Sequence, residues 1–122
     1  MRVNTSKLSI ADFEKHAKEQ KWNLQPVPWC QEGFFVDRKD RSVPLGKDLL
    51  HVLGYTYMQE ASSMLPVAML DPRPGEKILD MAAAPGSKST QIVARLRGKG
   101  FVVSNDMQEM RLKTLREALR RL

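Results

Sequence analysis

Cysteine is almost absent from this sequence. Cys30 is the only cysteine among 122 residues, so the chain can form no internal disulfide. The two histidines, His16 and His51, are isolated in the sequence, and no cysteine–histidine cluster of the kind that binds zinc is present. We therefore expect reducing surroundings and no bound metal.

Long apolar runs are also absent. The segment 65–70 is short and is interrupted by Pro66, whereas a membrane-spanning helix needs about 20 apolar residues. Residues 1–7 lack the apolar core of a signal peptide. These absences predict a cytoplasmic protein that has no membrane partner.

The overall composition is that of a soluble globular protein. Hydrophobic residues make up 42% of the chain and charged residues 28%, which predicts one modest core in one domain, or in one domain and part of another. The net charge of +6 is compatible with a polyanionic partner such as RNA but does not identify one.

Basic residues crowd the last predicted helix, residues 109–122. Its leucines recur at helical spacing and predict one buried stripe; they are Leu112, Leu115, Leu119 and Leu122. The basic side chains then point outward whatever the function; they are Arg111, Lys113, Arg116, Arg120 and Arg121. We favour a solvated helix face over an RNA-binding patch.

The two halves of the chain differ in pattern. Ser9 and Asp12 form a capping pattern for a first helix that extends to about Gln20, and prolines and glycines then predict a loop-rich, partly extended stretch. Within that stretch a strand is predicted at 33–36 and a short helix at 45–53. The second half is predicted to alternate helix and strand, at 59–70, 77–81, 87–97, 101–106 and 109–122.

The segment 77–91 carries the most specific signal, since it combines an apolar strand, a turn of small residues and a helix start. Ala82, Ala84 and Gly86 fall at the spacing of the glycines in an acidic-x-Gly-x-Gly-x-Gly loop. Ser87 and Ser89 are predicted to cap the helix that follows. Small residues in such a loop allow the backbone to approach a nucleotide closely.

A second acid strengthens this interpretation. Asp106 ends the strand predicted at 101–106, about 20 residues after Gly86, which is the offset at which dinucleotide-type folds place the acid that binds ribose hydroxyls. Loop and acid together are far more specific than either alone.

Three cofactor classes compete for such a loop. A phosphate-binding P-loop requires glycine directly before lysine, and here Ser87 separates Gly86 from Lys88. A nicotinamide or flavin fingerprint requires glycine at the first, third and sixth loop positions, where this chain has Ala82, Ala84 and Ser87. The loop suits S-adenosylmethionine best, because that cofactor has no pyrophosphate and needs less room at the helix N-terminus.

The strand–helix–strand–helix order predicts an α/β fold. It corresponds to the first half of a doubly wound, Rossmann-like sheet, preceded by a small α+β region. We expect residues 1–54 to form the N-terminal region and residues 55–122 the start of the second domain. Two parallel strands would leave edges and one face exposed, so we expect the chain to be the N-terminal part of a longer protein.

The segment 80–88, Asp-Met-Ala-Ala-Ala-Pro-Gly-Ser-Lys, resembles the cofactor motif of the NOL1/NOP2/Sun family of RNA (cytosine-5)-methyltransferases. Residues 54–66 are similar to the helix that precedes the cofactor strand in that family, and residues 26–33 to its bacterial and archaeal N-terminal region. The resemblance extends from about Leu8 to Leu122. It implies a class I methyltransferase sheet, S-adenosylmethionine as cofactor, and ribosomal or transfer RNA as the partner that receives a 5-methylcytosine.

The resemblance also implies roles for individual residues. Asp106 is expected to bind both ribose hydroxyls, and a role as N-cap of the following helix is an alternative that is compatible with it. Arg111 is expected either to reach the cofactor or to form a core-facing ion pair. Asp80 is expected to hold the turn, and Gln59 and Ser62 to approach the site from below. The loop residues are expected to line the methionine and ribose portions of the cofactor, Lys88 in a positioning role; they are Ala82, Ala83, Ala84, Pro85, Gly86, Ser87 and Lys88.

Catalysis is expected outside this segment. In the resembled family one cysteine thiolate adds to C6 of cytosine, C5 takes the methyl group, and a second cysteine assists product release; both lie downstream of the cofactor motif. Cys30 is not in either motif, and we expect it to be a small, semi-buried hydrophobe. We therefore assign no catalytic residue, expect the chain alone to be inactive, and expect the full-length protein to be a monomer.

Two other functions stay open from the sequence. The loop indicates the cofactor and not the acceptor, so a class I methyltransferase acting on a protein or a small molecule also fits it. A non-catalytic module that binds cofactor or RNA is the second. Aromatic side chains could stack on bases, although core positions are commoner for aromatics in a small domain; they are Trp22, Trp29, Phe34 and Phe35.

Overall fold

The chain forms an α/β structure with two separate sheets. The computed structural model describes residues 1–122. Its strands are β1 (Arg2–Val3), β2 (Asn23–Val27), β3 (Cys30–Asp37), β4 (Thr56–Tyr57), β5 (Lys77–Asp80) and β6 (Phe101–Ser104). Its helices are α1 (Ile10–Glu19), α2 (Leu49–Val52), α3 (Ala61–Leu70), α4 (Ser87–Leu96) and α5 (Glu109–Arg121), with a 3-10 turn at Leu45–Lys47. None of these helices combines the length and hydropathy of a membrane span.

The first sheet has four antiparallel strands in the order β2-β3-β1-β4. Only part of β3 was predicted from the sequence. The two-residue strand β1 is central, because Arg2 pairs with Gly33 on one side and with Tyr57 on the other. Strand β4 lies just beyond residue 54, so this sheet contains residues from both sides of the expected domain boundary.

Helix α1 covers the first sheet. The Ser9 hydroxyl accepts the backbone N–H of Asp12 at 3.1 Å and donates to its carboxylate at 2.5 Å, which confirms the predicted cap. Phe13 lies on the buried face of the helix and packs with Met1, Val3 and Phe34 into the core of this region.

The second sheet consists of β5 and β6, which pair in parallel. Ile78 and Val102 are partners in this pairing and face α4, where they pack on a core of Val67, Ile92 and Leu96. The side chains that point to the other face are exposed: Leu79 by 59%, Phe101 by 52% and Val103 by 50%. One face of this sheet is therefore covered and the other is open.

Helix α5 differs from its predicted pattern. Leu115 and Ala118 form its buried face and Leu112 packs beside them, whereas Leu119 is 37% exposed. The prediction of Leu119 in the stripe was wrong: Ala118, not Leu119, is the buried residue where the helix crosses the loop at Gly86. The basic side chains point outward as predicted, except that of Arg121, which lies over the ring of Tyr57.

Candidate cofactor site at the carboxyl ends of β5 and β6

The loop between β5 and α4 lies at the carboxyl ends of both parallel strands, which is the edge where open α/β sheets bind ligands. Two backbone hydrogen bonds join it to the segment after β6. The N–H of Ala83 donates to the carbonyl of Asn105 at 2.9 Å, and the N–H of Asn105 donates to the carbonyl of Asp80 at 2.8 Å. The two loops therefore form one surface.

Asp80 holds the base of the loop. Its carboxylate accepts the backbone N–H of Ala82 at 3.3 Å and the hydroxyl of Ser89 at 2.7 Å, as its predicted supporting role requires. The hydroxyl of Ser104, at the end of β6, lies 3.1 Å from that of Ser89. The capping role predicted for Ser87 and Ser89 was wrong: α4 has Gly86 at its N-cap and no side-chain cap.

Gly86 makes the sharp turn into α4. Its φ of +113° lies in the region that favours glycine. A Cβ added here would lie 3.1 Å from the Cβ of Ala118 and 3.2 Å from Cδ1 of Leu115. Glycine therefore allows the loop to pass directly under α5.

Asp106 lies at the junction of the two loops. Its side chain is 5% exposed, and its two oxygens accept the N–H groups of Gln108 and Ala84, each at 3.0 Å. These bonds, that of Gln108 foremost, and the nearby Arg111 lower the pKa of this carboxyl below its usual value. Asp106 is thus ionised at neutral pH, and each oxygen retains a further lone pair for a ligand hydroxyl.

Asp106 is not the N-cap of the helix that follows, which was its alternative predicted role. The N-cap of α5 is Gln108. Asp106 lies two positions before that residue and accepts its backbone N–H in a turn. The carboxylate therefore shapes the entry into α5 and faces the loop at the same time.

Arg111 connects α5 to the same junction. Its guanidinium lies 3.7 Å from the carboxylate of Asp106 and donates a hydrogen bond to the carbonyl of Ala84. Of its two predicted roles, the structure shows the ion pair, although at a half-exposed position and not in the core.

Sequence reasoning missed a buried network beneath the loop. The guanidinium of Arg2 donates to the carbonyl of Ser87 at 2.8 Å and to the side chains of Gln59 and Thr90, both at 2.9 Å. Gln59 in turn donates to Gln91 at 3.1 Å. No local pattern could have revealed these contacts, because Arg2 lies more than fifty residues from every side chain that it binds.

Other residues that the sequence singled out make no hydrogen bond to the two loops. The Lys88 side chain is half-buried and makes no hydrogen bond, and Ser62 is exposed on α3. Among the aromatic residues, Phe34 lies in the core, whereas Phe35 is exposed and Trp29 is exposed while its indole N–H donates to the carbonyl of Ala61 at 2.9 Å.

Cys30 is fully buried, more so than predicted. Its sulfur accepts a hydrogen bond from Gln91 at 3.6 Å. Burial, with the neighbouring Glu32 carboxylate, raises the pKa of the Cys30 thiol to about 11. At neutral pH the group is a thiol and not a thiolate nucleophile.

A parallel strand pair, a small-residue loop at its carboxyl edge and an acid after the next strand together define the nucleotide-binding half of a doubly wound α/β protein. Comparison with known families narrows this class. Residues 1–61 match the model described as the N-terminal domain of 16S rRNA methyltransferase RsmF, and residues 67–122 match that of 16S rRNA methyltransferase RsmB/F. The chain belongs to this family of 16S rRNA methyltransferases.

Individual relatives agree with the family assignment. The chain is 48% identical over 118 residues to ribosomal RNA small subunit methyltransferase F of Escherichia coli O17:K52:H18 (strain UMN026), and 50% identical over 119 residues to that of Klebsiella pneumoniae (strain 342). In both cases the match covers 94% of this chain and 25% of the relative. The chain thus spans about a quarter of the length of these relatives.

Solved structures show the same fold. A methyltransferase homolog protein from Pyrococcus horikoshii superimposes with a TM-score of 0.91 at 40% identity, over 99% of this chain and 39% of that one. NSun6 from Pyrococcus horikoshii, solved with SFG, gives a TM-score of 0.84 at 20% identity, over 99% of this chain and 54% of that one. These structures confirm the predicted fold class, and the family models confirm the predicted membership of an RNA methyltransferase family.

Proposed function

We propose that this chain supplies the S-adenosylmethionine-binding part of an RNA methyltransferase that forms 5-methylcytosine in ribosomal RNA. The observation that carries the proposal is the junction at the carboxyl ends of β5 and β6, where Asp106 accepts the N–H of Ala84 across the two loops. Family membership favours ribosomal RNA over transfer RNA, a protein or a small molecule as acceptor.

The loop fits the cofactor chemically. Residues 82–87 carry only small side chains, so their backbone can approach the methionine and ribose portions, and Gly86 makes the turn that this requires. The Asp106 carboxylate is ionised and takes the ribose hydroxyls on its free lone pairs. When bound, the cofactor supplies an electrophilic methyl group, and the residues of this chain hold it in place.

The reaction itself requires groups that residues 1–122 do not offer. Cys30, the only cysteine, is buried as a neutral thiol, so we place the cysteine that attacks cytosine outside this segment. We propose residues 1–54 as the N-terminal region and 55–122 as the start of the methyltransferase domain, with β4 of the latter completing the first sheet. We further propose that the whole enzyme acts on RNA in the cytoplasm as a monomer.

Calorimetric titration of S-adenosylhomocysteine into the purified protein tests the cofactor assignment. Asp106→Asn should weaken binding about ten- to a hundredfold, the scale of a hydrogen bond to a charged group. Glu109→Gln is the matched control, because it removes an exposed carboxylate three residues away and should leave binding unchanged.

A ligand that lacks the 2′-hydroxyl makes this test specific for the ribose. The parent protein should bind the 2′-deoxy analogue more weakly than S-adenosylhomocysteine, and Asp106→Asn should remove that difference. Equal affinity of parent and Asp106→Asn for S-adenosylhomocysteine would refute the assignment of Asp106.

A further inference from the structure

A groove lies at the end of α4 opposite the cofactor loop. Its volume is about 650 Å³, and its lining includes residues of the turn between β2 and β3, of β3, of the turn after α3 and of the end of α4. Helix α4 has ten residues, so at a rise of about 1.5 Å per residue its two ends lie roughly 15 Å apart. About five stacked nucleotides cover that distance. The groove is therefore separate from the candidate cofactor site but within reach of an RNA molecule that approaches it.

Trp29 presents a restrained aromatic ring in this groove. The residue is 40% exposed and belongs to none of the apolar cores. Its indole N–H donates to the carbonyl of Ala61 at 2.9 Å, which fixes the ring and satisfies its only polar group. An exposed ring whose orientation is set before a ligand arrives is the kind of platform on which unpaired nucleobases stack.

The charged side chains of the groove leave a positive excess. Both acids are already bound to arginine: Glu32 accepts from Arg95 at 3.1 and 3.3 Å, and Asp71 accepts from Arg73. Arg97 is exposed and takes part in neither pair. The three arginines of the lining therefore outnumber its two acids, and neither carboxylate is left without a cation. A guanidinium also suits phosphate oxygens by its geometry.

We propose that this groove binds a single-stranded segment of the RNA, away from the cytosine that receives the methyl group. A nucleobase stacks on Trp29, Arg97 binds a neighbouring phosphate, and the donors that Arg73 leaves free provide a second contact. Duplex RNA does not fit in this way, because its bases are stacked within the helix. The inference rests on the proposed function, which supplies RNA as the partner.

Fluorescence anisotropy of a labelled, unstructured pyrimidine RNA, titrated with the purified protein, tests the stacking contact. Trp29→Leu should weaken binding about tenfold, since it removes one base–aromatic stack, and Trp29→Phe should retain most of the affinity. Neither variant should change the binding of the same RNA annealed to its complement. Phe35→Leu is the matched control, because Phe35 is an exposed aromatic residue outside the groove, and it should leave binding unchanged.

Salt dependence tests the phosphate contact. Arg97→Gln should reduce the slope of log affinity against log salt concentration by about 0.7, the value for one phosphate contact to a single strand. Arg120→Gln removes an exposed cation of α5, outside the groove, and should leave the slope unchanged. The affinity for S-adenosylhomocysteine should be the same in all these variants, because the groove lies at the other end of α4.

Two results would overturn the proposal while S-adenosylhomocysteine still binds, and so leave the cofactor assignment intact. One is equal affinity of the parent protein and Trp29→Leu for single-stranded RNA, which is also the result expected if the groove docks a protein segment. The other is an equal change of slope in Arg97→Gln and Arg120→Gln. Failure of the parent protein to bind S-adenosylhomocysteine would instead overturn the proposed function.

Discussion

The two sheets of this molecule are covered to different extents. The four-stranded antiparallel sheet has its own helix, α1, and closes a core around Phe13 and Phe34. The parallel pair β5–β6 is covered by α4 on one face and leaves Leu79, Phe101 and Val103 open on the other. The first sheet thus has an enclosed core, whereas the second is covered on one face only.

The comparison shows how function and stability divide within one short chain. The candidate cofactor loop belongs to the less enclosed sheet, but it is anchored to the better enclosed one through Arg2, which lies in the central strand β1 and binds the start of α4. The N-terminal region therefore contributes to the site as well as to the fold.

Removal of the central aromatic side chain of the first core should have the largest effect. Phe13 is fully buried, and Phe13→Ala should lower the free energy of unfolding by about 3–5 kcal/mol. Urea unfolding measures this, with Phe35→Ala as the control because Phe35 is exposed. Equal destabilisation by both variants would contradict the burial of Phe13 as the cause of the loss.

A side chain added at Gly86, in the loop after β5, should have the next largest effect on stability. Gly86→Ala adds a Cβ that crowds Ala118 at a positive φ, so the free energy of unfolding should fall by about 1–3 kcal/mol and S-adenosylhomocysteine binding should be lost. Gly46→Ala is the control, because nothing lies within 4 Å of a Cβ there. Unchanged binding by Gly86→Ala would contradict the tight loop geometry.

Charges on the open face of β5–β6 should cost little stability. Leu79 and Val103 are partners in the pairing, and Leu79→Lys with Val103→Glu places opposite charges across the strands, at a cost of about 1 kcal/mol or less. We expect any self-association in sedimentation velocity to decrease. The same charges on the covered face, Ile78→Lys with Val102→Glu, should unfold the protein. Equal tolerance of both pairs would remove the distinction between the faces.

Cys30 should show the smallest effect. Because its pKa is raised to about 11, the thiolate fraction is small at pH 8 and grows only as the pH approaches that value, and burial blocks access as well. Mass spectrometry should find native Cys30 unmodified by iodoacetamide at pH 8 and fully modified in denaturant. Cys30→Ser should leave cofactor affinity within about twofold, because the thiol makes no contact with the two loops of the junction. Rapid alkylation of the native protein would mean that this thiol is reactive.

The second region was largely predictable because its signals are local. The strand, small-residue turn and helix of 77–97 follow one another in the sequence, and the carboxyl edge of parallel strands brings Asp106 to the loop. The predicted helix cap failed because Ser89 is drawn inward by Asp80, a contact that depends on how the loop folds back.

The first sheet was not predictable in the same way. Strands β1 and β4 have two residues each, too few for a period to show, and their pairing joins residues 2, 33 and 57 across long stretches of chain. The burial of Arg2 follows from that pairing alone. Leu119 was misplaced for a related reason, since the face of α5 that is buried depends on its contact with the distant Gly86 loop.

Hydrogen–deuterium exchange with and without S-adenosylhomocysteine tests most directly whether the carboxyl edge of β5–β6 binds the cofactor. We predict slower exchange in the presence of the ligand at residues 82–88 and 105–108, with little change on α1 or β2. Protection confined to the first sheet, or no protection at either loop at saturating ligand, would contradict the cofactor site described above.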